Sequence, residues 1–383
     1  MVPEPTCKRL HLIRASAYIF RFVIFYILDY DILKFGNPSE QAMLTSRSTP
    51  TLDDVAKTAG VSTATVSRCL NSPDRVVEST RLRVMKAVDE LGYTPNFGAR
   101  VMAAKRTFTI GAIIPTMENA IFARGLQAFQ EELHARGYTL LVSSSAYQPD
   151  LEEEQIRALV ARGADGILLI GYDRDPAIYR YLERQNTPAL IAWAFSEENN
   201  LPSIGFNNCA SMRELAQKVI DFGHLRIGVI SGITKGNDRA TQRLKGIIDA
   251  VARNALGDEA LSVIETPYEI ECGGDALEEL MRIEDRPTVV MCGNDVLAVG
   301  ALRRAQDIGL KVPEDVSITG FDDIELARIV TPSITTVHVP HREMGRKAAI
   351  ELVKMVESLS DGASTELQST LQVRESLGRM ADR

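Results

Sequence analysis

At 383 residues the chain exceeds one ordinary domain, and two or three folding units are expected. A hydrophobic share of 45% and a charged share of 25% are those of a globular protein and exclude a low-complexity chain. The net charge of −8 argues against a nucleic-acid partner only until it is divided along the chain. Residues 43–106 carry ten Lys/Arg against six Asp/Glu and residues 1–42 five against four, which leaves −13 for residues 107–383. A small basic unit joined to a large acidic one is compatible with a nucleic-acid module on a regulatory body.

The chain begins with an apolar stretch, "AYIFRFVIFYILDYDIL", preceded by Lys8, Arg9 and Arg14. Arg21 interrupts it, and the run stops at Leu28, short of the ~20 residues that a membrane span needs. Asp29, Tyr30 and Asp31 follow where a cleavage site would have small residues. Residues 1–50 therefore read as an extension to the folded protein, with translation expected to start at Met43. A disordered or partner-binding segment and a membrane anchor are the alternatives.

The first convincing helix is "TLDDVAKTA" from Thr51, with Leu52, Val55, Ala56 and Ala59 at helical spacing and Asp54 three positions after Thr51 for a cap. Gly60 permits a turn, and Ser62 can cap a second helix, "TATVSRCL". The spacing packs Val55, Ala56, Val61 and Val66 together and turns Thr63, Ala64, Ser67 and Arg68 outward. A third segment, "STRLRVMKAVDELGY", repeats the pattern through Leu82, Val84, Met85, Val88 and Leu91. Three short helices so spaced fit a helix-turn-helix domain over residues 51–95.

The front of the second helix offers N–H groups and a partial positive charge to a phosphate. Ser62, Thr65 and Ser67 can add hydroxyl contacts. Thr63 and Ala64 are short enough to approach base edges, and Arg68 suits guanine. The plainer alternative is a helical hairpin in which Arg68 is a solvated charge.

"TLDDVAKTAGVSTATVSRCLN" followed by "LGYTPNFGARVMAAKRTFTIGAIIP" resembles the lactose-repressor family of bacterial transcription regulators, and looks most like its gluconate-repressor branch. The resemblance covers roughly residues 50–376. It implies that Asn71 joins the DNA-contact set and that a hinge helix, from Asn96 to about Ala104, lies in the minor groove. Ala99 falls on the hinge alanine and Met102 on the apolar wedge that kinks the duplex. Met102 replaces the usual leucine, and Gly98 weakens the helix by up to ~1 kcal/mol. Nine residues are too few to stay helical alone, so the hinge over 96–106 should fold only where two copies meet on DNA.

Beyond the hinge, ten apolar runs alternate with amphipathic stretches: 109–115, 139–145, 166–171, 188–193, 203–206, 226–231, 261–266, 288–293, 316–321 and 334–339. The alternation argues for doubly wound parallel sheets. Residues 107–376 are too many for one such sheet, so two lobes sharing a cleft are expected, with ligand beyond the carboxyl ends of the strands. The resemblance implies the same two-lobed, periplasmic-binding-protein-like sensor fold, with residues 377–383 as a tail. Asn119 and Phe122 follow the first strand, and Trp193 closes "PALIAW". Arg239 and Arg243 share a helix face, Asp295 follows a strand in "CGNDV", and "GFDD" places Phe321 and Asp322 similarly. Phe122, Trp193, Arg243, Asp295 and Phe321 match or neighbour effector positions in the family, with His341 a looser match. Each has a plainer alternative: a core aromatic for Trp193, a solvated charge for Arg239, a helix cap for Asp295, a loop residue for His341. Two arginines favour an acidic sugar such as an aldonate as effector.

The cysteines Cys7, Cys69, Cys209, Cys272 and Cys292 are scattered without CxxC or metal spacing, which reads as reduced thiols in a cytoplasmic protein. No metal or cofactor is expected. The sequence has no P-loop, GxSxG or HExxH, and "GGD" at 273–275 stands isolated, so no enzyme is expected. The remaining rival is an exported or membrane-tethered sugar-binding protein of the same sensor fold. The favoured reading is a homodimeric repressor on a pseudo-palindromic operator in double-stranded DNA, controlled by a sugar or sugar acid and independent of membranes.

Overall fold

A computed structural model describes residues 49–71, 73–94, 106–118 and 120–380. Asn96, Ala99 and Met102 of the expected hinge, and Asn119, lie outside the described residues. Contacts divide the chain between Asn96 and Phe97.

The described residues of the N-terminal unit include three α-helices: α1 (Leu52–Ala59), α2 (Thr63–Asn71) and α3 (Glu78–Leu91). Helix α1 starts in a reciprocal cap, with the Thr51 amide donating to Asp54 at 2.9 Å and the Asp54 amide to Thr51 Oγ1 at 3.3 Å. It stops at Gly60, whose φ of 62° lies in the left-handed region that glycine enters without a Cβ penalty. Val55, Ala56, Ala59, Val66, Cys69, Val84, Ala87 and Tyr93 form the core.

The expected packing of α3 needs one correction: Leu82 is 61% exposed and Met85 40%. The inward face of α3 runs through Val84, Ala87, Val88 and Leu91, at steps of three and four. Leu82 and Met85 lie a third to half a turn around from that line.

The C-terminal unit alternates strands and helices. In chain order they are β1 (Thr109–Ile114), α4 (Ala120–Ala135), β2 (Thr139–Ser144), α5 (Pro149–Ala161), β3 (Gly166–Ile170), α6 (Pro176–Arg184), β4 (Ala189–Ala192) and β5 (Ser203–Gly205). Then come α7 (Asn208–Asp221), β6 (Ile227–Gly232), α8 (Asp238–Arg253), β7 (Leu261–Thr266), α9 (Ile270–Met281), β8 (Val289–Cys292), α10 (Asp295–Asp307) and β9 (Ser317–Thr319). The chain ends through α11 (Glu325–Ile329), β10 (Thr336–His338), α12 (His341–Val356), β11 (Thr365–Glu366) and β12 (Thr370–Gln372). All ten expected runs form strands.

One sheet has the order β11-β5-β4-β3-β1-β2 and a second β7-β6-β8-β9, and every pair in both is parallel. Buried on both faces, their central strands are continuous apolar runs, and every residue of β1, β3, β6 and β8 is buried. Each sheet anchors one lobe. The chain passes between lobes after β5, after β10 and after β11, since α12 packs on α4 and on β3–β5 while β10 pairs with β12. Strand order reverses at β1 and at β6, so the crevice beyond those strand ends is where such a fold takes a ligand.

Residues past β12 pack on the second lobe. Ile318 N–H donates to the Ser376 carbonyl at 2.9 Å, Leu377 is buried, and Met380 N–H donates to Phe222 at 2.8 Å. Among the described residues, no helix is long and apolar enough to cross a membrane.

Candidate functional site

The surface of α2 is built by local rules. Val66 and Cys69 point into the core, which leaves Thr63, Ala64 and Arg68 exposed one turn apart along the outer side. Ser62 accepts the Thr65 amide at 3.2 Å and bonds the Thr65 hydroxyl at 2.9 Å, so these two hydroxyls order the helix start. Ser67 is half-buried, and Asn71 is the last residue of α2. No acidic residue occupies the first turn, so nothing in α2 offsets the positive end of its dipole.

In the C-terminal unit the strand ends bring distant residues together. Arg243, on α8, is 5% exposed. Its Nε donates to Asn208 Oδ1 at 2.9 Å, Nη1 to the Gly293 carbonyl at 2.7 Å, and Nη2 meets Asp322 Oδ1 at 3.4 Å. The guanidinium lies 3.9 Å over the Phe321 ring. Asn208 donates in turn to the Trp193 carbonyl at 3.1 Å, linking the two lobes at the first crossing. Trp193 has a φ of 60° and meets Phe122 edge-on at 5.5 Å. Its indole N–H donates to His341 Nδ1 at 3.2 Å. That leaves the imidazole proton on Nε2, 3.3 Å from the Asp322 carbonyl.

Burial governs the ionisation here. It pulls the His341 pKa down to about 3, so the ring is neutral in the folded protein. It also pushes the Asp322 carboxyl up, against the pull of Arg243. Asp322 Oδ2 is buried without a hydrogen-bond partner among the described residues. A carboxylate held by one arginine, with its other oxygen still able to accept, is a ready acceptor for a ligand hydroxyl.

Phe122, Trp193, Arg243, Phe321 and His341 thus form one connected cluster. Asp295 stands apart from it. Its carboxyl takes the Thr336 hydroxyl at 2.6 Å and the Ile324 amide at 2.8 Å, fixing the loop that presents Phe321 and Asp322. Burial and the nearby Asp322 charge hold its pKa well above the usual range. The cap at the start of α10 belongs to Asn294, whose Oδ1 takes the Leu297 amide at 3.0 Å.

Arg239 is one turn from Arg243 but faces the other lobe. Its Nη1 donates to the Ile170 carbonyl at 3.0 Å and to Asp238 at 2.9 Å. It lines a small cavity of about 30 Å³ with Ser145, Tyr147, Gln148 and Arg174. Tyr147 and Tyr268 approach from opposite lobes with ring centroids 6.0 Å apart. Among the described residues, no cluster of three or more His, Cys, Asp or Glu side chains is arranged to hold a metal.

Both halves have counterparts among known proteins. Residues 51–96 match the model of bacterial regulatory proteins, lacI family, and residues 216–377 that of a periplasmic binding protein-like domain. The HTH-type transcriptional repressor CytR of Escherichia coli (strain K12) is 34% identical over 83% of this chain and 93% of its own length. The chain belongs to the lacI family. Among solved lacI-family structures, the lac repressor dimer bound to operator and the anti-inducer ONPF is 26% identical, with a TM-score of 0.78 over 86% of this chain and 100% of that one. The regulator CelR in complex with cellobiose is 28% identical, with a TM-score of 0.64 over 85% and 99%. These lacI-family relatives are DNA-binding transcriptional regulators, and the two-lobed sensor with parallel sheets is the lac repressor fold.

Sequence reasoning missed Asn208, Tyr147, Tyr268, Asp238 and Arg174 in this lacI-family cleft. All five follow a strand within six residues, so applying the strand-end rule to every strand would have found them.

Proposed function

We propose that the chain is a homodimeric repressor acting in the cytoplasm on pseudo-palindromic duplex DNA, and that a small polyhydroxylated effector in the cleft controls it. The observation that carries the reading is one chain holding both an outward row of Thr63, Ala64 and Arg68 on α2 and the buried Arg243–Asp322 pair at the strand ends. Arg68 reads a base, Ser62 and Thr65 set the helix start against phosphate, and Ser67 and Asn71 flank the contact. Asn96, Ala99 and Met102 form the hinge, which folds in the minor groove only when two copies meet there.

A dimer partner finds apolar surface at hand. The edge strands β2 and β7 carry the exposed Val142 and Val263, and Ile270 is exposed on α9. Effector binding changes the relation of the lobes and hence the spacing of the two hinges, a coupling typically worth ~1–3 kcal/mol, or ~5–150-fold in affinity.

The pairing of the cleft charges bears on the class of effector. The expectation of a sugar acid rests on two arginines seeking an anion, yet Arg243 faces Asp322 and Arg239 faces Asp238. With both cations matched, a ligand carboxylate would meet the Asp322 oxygen as a like charge, whereas a hydroxyl would donate to it. A neutral sugar or polyol is therefore favoured over an aldonate. Calorimetric titration of the full chain with neutral sugars and with aldonates decides between them. Binding of a neutral sugar alone supports this assignment, and binding of an aldonate alone rejects it.

A further inference from the structure

The contact around Gly171 joins the two lobes through protein groups alone. On the first lobe, β3 ends in a turn made by Ile170, Gly171 and Tyr172. On the second, α8 begins with Asp238 and Arg239. Asp238 Oδ2 accepts the Tyr172 amide at 2.7 Å, and Arg239 Nη1 donates to the Ile170 carbonyl at 3.0 Å. Gly171 sits beneath both side chains with a φ of 72°, and a β-carbon there would collide with the Arg239 guanidinium and the Asp238 carboxylate.

The receiving turn is held ready from behind. Arg174, whose side chain is 2% exposed, donates to the Gly171 carbonyl at 2.6 Å, to Ile170 at 3.2 Å and to Tyr179 at 2.6 Å, and pairs with Glu152 at 3.0 Å. The Ile170 carbonyl thus takes one guanidinium from its own lobe and one from the other. Every charge has an internal partner: Asp238 with Arg239, Glu152 with Arg174. Contact across the cleft rests on directional hydrogen bonds to backbone groups, which bulk salt screens little.

We infer that Asp238, Arg239 and Gly171 form an inter-lobe latch that favours the closed cleft, and that Arg239 serves closure. Admission of any ligand to the Arg243–Asp322 pair then requires the latch to open. The latch sets the open fraction, and apparent affinity scales with the population of the binding-competent form. The inference needs only the two lobes and does not depend on the effector's identity.

The test uses the full chain without ligand or DNA. Asp238→Ala removes the acceptor, and Gly171→Ala wedges the contact sterically. Asp173→Ala, a substitution beside the turn with no bond in the latch, is the control. Amide exchange at Tyr172 and the radius of gyration by small-angle scattering are read for each. The latch predicts roughly tenfold faster Tyr172 exchange together with a larger radius in both variants, the scale expected for loss of one charge-assisted hydrogen bond, and neither change in the control. Faster exchange at an unchanged radius overturns the inference, because the turn would then fray without the lobes parting. Parent values for both quantities in Asp238→Ala overturn it as well, even where Gly171→Ala fails to fold.

Discussion

The helix-turn-helix unit and the cleft between the lobes, the two regions proposed to meet DNA and effector, place their polar side chains in opposite ways. On α2 the proposed contact groups stand outside a small apolar core, and Thr63, Ala64 and Arg68 contribute nothing to its packing. In the cleft the working groups are the interior: Arg243, Asn208, Asp322 and His341 are each at most 5% exposed and hold one another across both lobes. Recognition can therefore change on α2 with little effect on folding, whereas in the cleft it is bound up with stability.

The largest expected effect lies in the cleft. Arg243→Ala leaves the Asp322 carboxylate buried without its cation, and should cost about 3–5 kcal/mol of sensor stability at pH 7. Denaturant unfolding measures this. The loss should shrink as pH falls, because burial already raises the Asp322 carboxyl and a proton on it removes the unpaired charge. A pH-independent loss would mean that the ion pair is not what matters.

Next comes His341→Gln. The imidazole is neutral in the fold with a pKa of about 3, below the ordinary value near 6.5. Its contribution is fully present above pH 6.5 and is lost as pH falls, since only the unfolded chain then takes the proton readily. Between pH 6.5 and 4.5 the parent should lose up to about 2–3 kcal/mol from this group, a loss that the glutamine variant escapes. Parallel stability profiles for the two proteins would contradict it.

Arg68→Ala should show the converse. Site-specific DNA binding should weaken by ~1–3 kcal/mol with relaxed preference at one base position, while the melting temperature stays put. A large drop in stability would erase the contrast between the two regions. The smallest effect is expected for Thr51→Ala, which removes the α1 cap at a cost of about 1 kcal/mol to the helix-turn-helix unit. Unfolding of that unit, followed by circular dichroism, reads it.

The same contrast explains what could be read from the amino-acid order. Gly60, Ser62 and the Thr51–Asp54 cap act within a few residues, so the three helices and the outward row on α2 were legible. The parallel strands were legible too, as apolar runs buried on both faces. Leu82 and Met85 were misassigned because helical spacing shows that a stripe exists without showing which of two stripes meets the neighbouring helices. The cleft was only half legible. Trp193 and His341 stand 148 positions apart, Arg243 and Asp322 79 apart, and no local pattern shows that these side chains satisfy each other. For the same reason Arg239 and Arg243 looked like two cations seeking an anion until their partners came into view.

The central claim is that one chain couples a twofold DNA reader to a cleft sensor. Selection of bound duplexes from a random pool, with the full chain alone and again with each sugar titrated above, tests it most directly. The account predicts enrichment of a twofold-symmetric site whose recovery changes with one of the sugars. Absence of any symmetric site under every condition would contradict it.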